Sequence, residues 1–188
     1  MGQKSAEQQK KRNKIIFGSL RVMVTSALLI AMSIVCGKYL KIPVGDVMRF
    51  SFENLPILLA GIAFGPLAGM ATGVIADLIG CVLVGYAINP LVTLGAAAIG
   101  ALGGLLYHLC NKLPLFVRLL ITVMLSHTIG SVVIKTFGLA KFYDLPFFEL
   151  VLWRSLNYLI VGIIELAVLY VVLKNKAVSS LLQRLGHK

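Results

Sequence analysis

The sequence predicts an all-α integral membrane protein, folded as a compact bundle of six transmembrane helices. Three observations support this fold class: the apolar composition, the length of the apolar runs and the position of the charges. Hydrophobic residues fill 59% of the 188 positions, and the mean hydropathy is +0.93. A water-soluble domain with this composition would have too few polar residues to cover its surface. The chain is therefore expected to lie in a lipid bilayer.

Six apolar runs are candidates for membrane-spanning helices, because about 20 apolar residues cross a hydrocarbon core of about 30 Å. Gly65-Pro66 separates the short second run from the third, and Asn89-Pro90 marks a turn before the fourth. Glycine is frequent in the runs, which allows helix backbones to approach closely in lipid. The runs cover residues 15–36, 55–64, 67–84, 91–110, 115–137 and 147–173.

Lysine and arginine predict the orientation of the bundle. We expect a basic tail at 1–14, a membrane domain at 15–174 and a C-terminal tail at 175–188. With the N-terminus inside, 12 of the 18 cations face the cytoplasm. The positive-inside rule then places both termini in the cytoplasm and the segments 38–54, 85–90 and 138–146 outside. The six remaining cations are Lys38, Lys41, Arg49, Lys135, Lys141 and Arg154. The net charge of +11 thus has a topological explanation, and no nucleic-acid motif accompanies it.

The rare polar residues inside the runs are the first candidates for function, because a polar group in the bilayer is costly to keep. Asp77 is the strongest, since a lone carboxylate at that depth cannot reach water along a long side chain. Glu165, in the inner half of the sixth run, is expected to pair with a cation such as Arg118 or Arg21. A role in docking a partner is the alternative for Glu165. The set is Asp77, His127, Arg154, Asn157 and Glu165.

Helical spacing groups several of these residues. His127, Ser131 and Lys135 recur every four residues and form one polar stripe on the fifth helix. A second group lies within about one turn of the sixth helix: Trp153, Arg154, Asn157 and Tyr158. If the two groups face inward, they line a pocket that opens to the outside. The alternatives are that the cations reach lipid head groups, that the aromatic residues form an interfacial belt, and that the histidine is a packing residue.

Two small side chains lie four residues apart on one face of the first helix, at Ala27 and Ala31. Such a face lets another helix backbone approach closely. The second helix belongs either to the same bundle or to a partner protein, and the spacing alone leaves both possibilities open.

Four segments of the sequence carry a resemblance to a known family. They are LRVMVTSALLIA from Leu20, RFSFENLP from Arg49, AGIAFGP from Ala60 and ADLIG from Ala76. In size, six-helix layout and motif order the chain resembles the substrate-binding S components of energy-coupling factor (ECF) vitamin transporters, and most of all the folate-specific branch. The resemblance is strongest from residue 20 to residue 80 and thinner after residue 111.

This resemblance implies a bacterial, multi-pass cell-membrane protein that binds a vitamin from outside with high affinity. It implies docking through small residues of the first helix, here Ala27 and Ala31, to a transmembrane coupling subunit that carries two cytoplasmic ATPases. The sequence has no GxxxxGK[ST] phosphate loop, so ATP hydrolysis is expected in the partners. Neither an enzymatic activity nor a cofactor of its own is expected, and the three cysteines lack the spacing of a metal site.

The polar and charged residues of the sequence suit the chemistry of folate. A pterin ring offers an adjacent ring N–H and amino group, which the two oxygens of Asp77 can accept. The aminobenzoyl portion needs flat apolar walls, for which the candidates are Phe50, Tyr86, Phe137 and Trp153. The glutamate tail needs cations near the mouth, for which the candidates are Arg49, Lys135 and Arg154. Asn89, His127 and Asn157 complete the predicted set of ligand contacts.

Three other functions remain as alternatives. The chain could be an S component for another vitamin. It could be a stand-alone secondary transporter, for which inverted repeats are expected; no clear repeat is visible, although the helix break at Gly65-Pro66 keeps this reading open. A small membrane enzyme is the third alternative, but the sequence has neither a GxSxG elbow nor an HExxH motif.

Overall fold

The computed structural model describes residues 20–40, 42–44, 48–176 and 180. Within these residues the chain forms five long helices, one shorter helix (α2) and two short strands: α1 (Leu20–Tyr39), β1 (Ile42–Val44), β2 (Met48–Phe50), α2 (Asn54–Phe64), α3 (Pro66–Val84), α4 (Pro90–Leu109), α5 (Leu115–Tyr143) and α6 (Phe147–Lys174). The predicted helical class is confirmed. The predicted basic tail at 1–14 and most of the C-terminal tail lie outside the described residues.

The prediction of six spanning helices is not confirmed. Five of the described helices are long and apolar enough to cross a membrane, and α2 is a shorter apolar helix. With 11 residues and a rise of about 1.5 Å per residue, α2 is about 16 Å long, roughly half the thickness of the hydrocarbon core. It therefore cannot cross the bilayer as a helix on its own.

A tight turn at Gly65 folds α2 back along α3. Gly65 has φ = 95°, a backbone conformation that favours glycine, and Pro66 begins α3, where its missing N–H costs nothing. A Cβ atom added at Gly69 would lie 2.6 Å from the Cα of Gly61. The two helices therefore touch backbone to backbone on either side of the turn, and they form an antiparallel pair.

The predicted outer loop at 38–54 contains regular structure. α1 continues to Tyr39 through a π-helical segment, Val35–Tyr39. β1 and β2 then form an antiparallel pair in which Pro43 lies opposite Arg49. These two strands are the departure from the all-α prediction, and β2 packs against α6.

The fifth helix is longer than its apolar run. It extends past residue 137 and ends at Tyr143. The next residue, Asp144, caps the helix in the left-handed conformation. The predicted outer loop at 138–146 is therefore mostly helical. A π-helical segment, His127–Lys135, occupies the middle of α5. Such segments are rare and frequently mark functional sites.

α4 lies at the centre of the bundle and contacts α2, α3 and α5. A Cβ atom added at Gly100 would overlap the carbonyl of Gly69, and one added at Gly73 would overlap the carbonyl of Ala96. The backbones of α3 and α4 are therefore in direct contact, which maximises van der Waals packing where lipid gives no hydrophobic drive between helices. Fully buried apolar side chains of the core include Leu58, Ile99, Leu119, Val123, Val161 and Leu169.

Gly100→Ala should destabilise the bundle although alanine favours helices more than glycine does. The new methyl group would push α3 and α4 apart, at a cost of about 1 to 3 kcal/mol. The measurement is the midpoint of thermal denaturation in detergent. Gly162→Ala is the matched control, because a Cβ atom there would lie at an ordinary 3.4 Å from Met124. An equal midpoint for the two variants would contradict the tight α3–α4 contact.

Candidate functional site

A small cavity lies where α1, α3, α4 and α5 meet the start of α2. Its lining side chains are Ser33, Ile34, Lys38, Glu53, Ile57, Ala76, Asp77, Ala96 and Lys135. Four of them carry charge, two lysines and two carboxylates, and they come from four separate parts of the chain. The space between them has room for about one water molecule. This concentration of charge inside an apolar bundle makes the cavity the candidate site.

An ion pair between Glu53 and Lys135 crosses the cavity. Lys135 is 3% exposed, and its Nζ donates hydrogen bonds to Glu53 Oε1 at 3.0 Å and to Asn54 Oδ1 at 3.4 Å. Ser33 on α1 donates from Oγ to the backbone carbonyl of Glu53 at 2.7 Å. The pair thus ties α5 to the start of α2 and to α1, and Lys135 does not extend towards lipid head groups.

The pKa of the Glu53 carboxyl group is well below its usual value. The Lys135 ammonium lowers the pKa of Glu53 from 4.5 to about 2, against the opposing effect of burial, and Lys38 and Arg154 lower it further. Glu53 is therefore a carboxylate at neutral pH. Because its pKa is depressed in the folded state, its contribution to stability is present above pH 4.5 and is lost as the pH falls towards 2.

Asp77 forms part of the cavity wall on α3. Thr93, in the first turn of α4, donates from Oγ1 to Asp77 Oδ2 at 2.6 Å, and the Asp77 side chain is partly buried. A carboxylate can accept about four hydrogen bonds through its two oxygens. Asp77 therefore keeps the capacity to accept hydrogen bonds from a ligand while Thr93 holds its orientation.

A second polar cluster lies between α5 and α6. His127 Nε2 is 2.7 Å from Glu165 Oε2, and the imidazole stacks on the Tyr158 ring with 5.2 Å between the centroids. His127 is 2% exposed and Glu165 is fully buried. The stripe of His127, Ser131 and Lys135 faces the interior, which its spacing alone left open.

The predicted partner of Glu165 was wrong. Arg118 lies over the ring of Tyr107 at 3.4 Å and donates from Nε to the carbonyl of that residue, so it serves the α4–α5 contact. The side chain of Arg21 is exposed. Glu165 pairs with His127 because α6 packs against the π-helical segment of α5, an arrangement that spacing within a single helix cannot reveal.

The comparison with known proteins gives the family. Residues 21–174 match the family described as the substrate-specific component of ECF transporters. The chain belongs to this family. As an S component it is a multi-pass membrane protein that binds a substrate and is not an enzyme. No curated protein matches the chain significantly.

Two solved structures share the fold of this S component. One is titled "Crystal structure of FolT bound with folic acid", and it is 24% identical with a TM-score of 0.69 over 84% of this chain and 96% of that one. The other is titled "Structure and mechanism of the S component of a bacterial ECF transporter", and it is 20% identical with a TM-score of 0.61 over 84% of this chain and 98% of that one.

The S component brings only some of the predicted site residues to its cavity. Asp77 and Lys135 line it. Arg154, on α6, is outside the lining and donates from Nη2 to the Ser131 carbonyl and to the Tyr158 hydroxyl, both at 3.3 Å. The roles of all three in ligand binding stay predictions.

The predicted aromatic walls do not line the cavity. Tyr86 is 46% exposed and Trp153 is 45% exposed. Phe137, also exposed, meets Phe147 edge to face, and Phe50 is partly buried at the end of β2. These rings would have to move, or the cavity would have to open towards them, before they could contact a ligand there.

The remaining predicted polar contacts are also spread over the S component. Asn89 begins α4: its Oδ1 accepts from the Leu91 N–H at 3.0 Å, and its Nδ2 donates to the Gly138 carbonyl at 2.9 Å. Asn157 is partly buried on α6. Arg49 lies on β2, and its side chain is outside the described part of the structure.

The small residues of α1 face outward. Ala27 and Ala31 are both exposed, and so are Met23, Leu28 and Met32 on neighbouring turns. Among the described residues the pair therefore takes no part in the packing inside this bundle, which favours the docking alternative.

Two charged residues of the cavity, Lys38 and Glu53, are not among the residues predicted from the sequence to bind the ligand. The sequence places Lys38 only in the predicted outer loop, and Glu53 only within the motif RFSFENLP. A signal was present for each: Lys38 lies two residues after the first apolar run, and Glu53 lies two residues before the second. Neither signal indicates that the two side chains turn towards the same cavity.

Proposed function

We propose that this S component binds folate from outside the cell and delivers it to an ATP-driven importer. The observation that carries the proposal is the position of Asp77, a carboxylate oriented by Thr93 in the wall of a charged cavity. Its two oxygens suit the adjacent N–H donors of a pterin ring. The fold shared with a protein solved in complex with folic acid, over 84% of this chain, supports the same ligand.

Folate binding requires the cavity to open. The space between the lining residues accommodates about one water molecule, and a pterin ring is many times larger. The Glu53–Lys135 pair crosses this space, so the ligand must displace that contact or enter beside it. Since Glu53 belongs to the segment between β2 and α2, a shift of this segment would enlarge the cavity.

Isothermal titration calorimetry of the purified chain with folate tests this function. Binding is expected in detergent without ATP or an ion gradient. Absence of folate binding, together with tight binding of a different vitamin, would assign the chain to another substrate. Uptake driven by an ion gradient in vesicles that contain this chain alone would support the secondary transporter instead.

Asp77→Asn should weaken folate binding by about 30- to 1,000-fold, equivalent to about 2 to 4 kcal/mol. The substitution keeps the shape of the side chain but replaces one acceptor oxygen with a donor, which leaves a ligand N–H unpaired in a dry site. Calorimetry on the folded variant gives the affinity. Asp144→Asn, at the exposed turn after α5, is the matched control and should bind like the parent. An affinity of Asp77→Asn within about threefold of the parent would remove Asp77 from the site.

We also propose that the outward face of α1 docks to a transmembrane coupling subunit with two cytoplasmic ATPases, which supply the energy. Exposure of Ala27 and Ala31 supports this proposal, because small side chains allow the backbone of a partner helix to approach closely. No ATP-binding loop occurs in this sequence, so the energising subunits would be separate chains.

Replacing both Ala27 and Ala31 with Trp should abolish assembly with the coupling subunit and abolish uptake, while folate binding by the isolated chain stays within about threefold of the parent. The two readouts are co-purification and calorimetry. Met23→Trp, on the same helix and already occupied by a large side chain, is the control for a bulky residue on the lipid face. Loss of folate binding in the double variant would contradict a pure docking role.

For the orientation, we propose that the chain lies in a bacterial cell membrane with both termini in the cytoplasm. The basic tails at 1–14 and 175–188 precede and follow the membrane domain in the sequence, and both would lie on the cytoplasmic side. The excess of cations in the inner segments supports it. A cysteine at Lys141, which is exposed near the end of α5, should react with a membrane-impermeant reagent added outside intact cells. Labelling from the cytoplasmic side alone would reverse the orientation.

A further inference from the structure

We infer that Lys38 is a specificity-determining residue of the cavity, and that its ammonium group binds the carboxylates of the ligand's glutamate tail. This inference rests on the proposed folate function and adds to it a residue and a role. The cations predicted from the sequence to bind the tail are Arg49, Lys135 and Arg154. Lys38 was not among those candidates, and the geometry around it is the reason to include it.

Lys38 forms part of the cavity wall. It lies in the π-helical segment Val35–Tyr39 and lines the same cavity as Asp77. Its side chain crosses α3 at Gly80, where an added Cβ atom would lie 2.8 Å from Lys38 Cε. Beyond that point its Nζ lies 5.6 Å from the centre of the Tyr86 ring. Glycine at position 80 thus provides the space that directs this lysine along the surface of α3.

The other two cations near the cavity already have acceptors within the protein. Lys135 donates to Glu53 and Asn54, and Arg154 donates to the Ser131 carbonyl and the Tyr158 hydroxyl. A ligand carboxylate would have to displace one of these contacts. Among the described side chains, no carboxylate lies within ion-pair distance of Lys38 Nζ; the Glu53 carboxylate, which Lys38 stabilises from a greater distance, is paired with Lys135. A partly buried ammonium group favours an anionic partner, and the ligand can provide one.

The order of residues along α3 follows the order of groups along folate. Asp77 comes first, Gly80 with the crossing Lys38 stem lies one turn later, and Tyr86 follows just beyond the helix end at Val84. Folate carries its pterin donors at one end and its carboxylates at the other. With the pterin on Asp77, the tail therefore extends towards the Lys38 ammonium, at the end of α3 that we propose to be outside.

The test compares folate with pteroic acid, which lacks the glutamate and its two carboxylates. Lys38→Met keeps the length of the stem and removes the charge. It should weaken folate binding by about 10- to 100-fold and pteroic acid binding by less than about threefold, as measured by calorimetry. Lys38→Arg, which keeps the positive charge, should recover most of the folate affinity.

Lys174→Met is the matched control, because the Lys174 ammonium lies 5.4 Å from the Tyr170 ring at the end of α6. It has the same cation and aromatic pairing as Lys38, but it is not in the cavity. Its affinities for both compounds should equal those of the parent. A change in this control would show that loss of a lysine stacked on tyrosine acts through the fold.

Two results would overturn the inference. If Lys38→Met weakens the binding of folate and of pteroic acid equally, Lys38 maintains the cavity without binding the tail. If folate binding is unchanged in Lys38→Met, Lys38 is not part of the site. If Lys38→Met fails to fold, Gly80→Ala takes its place. The added methyl group displaces the Lys38 stem, so Gly80→Ala should weaken folate more than pteroic acid, and equal effects would reject the role. A parent chain that binds neither compound would reject the folate function itself.

Discussion

The direct backbone contact between α3 and α4 is the constraint on which the rest of the site depends. Hydrophobic association cannot hold helices together in lipid, so stability comes from close packing, and glycine allows the closest approach. Gly73 lies against Ala96, and Asp77 is one turn after Gly73 while Thr93 is one turn before Ala96. Their hydrogen bond is thus a consequence of this contact. The α3–α4 contact therefore both stabilises the bundle and orients the Asp77 carboxylate in the cavity.

Buried charge is the second organising feature. A charged side chain within the bilayer is costly unless it is paired, and the described residues show two solutions: Glu53 with Lys135, and Glu165 with His127. Truncating one partner of such a pair leaves an uncompensated polar group, which is why buried pairs are costly to break. A ligand that enters the cavity must therefore replace what it displaces with polar groups of its own. This requirement favours a ligand with both donors and carboxylates over a purely apolar one.

Two departures from regular α-helix supply the lysines of the cavity. Lys38 lies in the π-helical segment of α1, and Lys135 ends the π-helical segment of α5. A π-helical turn is wider than an α-helical turn and shifts the face on which the following side chains lie. Both lysines lie in the wall of the same cavity.

The sequence by itself determined the features that depend on local composition and periodicity. Apolar run length predicted the helices, Gly65-Pro66 and Asn89-Pro90 predicted the breaks between them, and four-residue spacing predicted that His127 and Lys135 share one helix face. The order of the motifs indicated the family. These signals act within a single helix or turn, so they can be read without knowing what packs against them.

Only the tertiary structure decided which helix faces meet. It paired Glu165 with His127, joined Glu53 to Lys135, placed Lys38 in the wall of the same cavity as Asp77 and placed Ala27 on the outer surface of the bundle. It also replaced a predicted loop by two short strands and left α2 too short to span the bilayer. Each of these outcomes depends on distances between residues far apart in the chain, which are set by helix packing and by the depth at which each helix lies. A pattern within one helix contains no information about either.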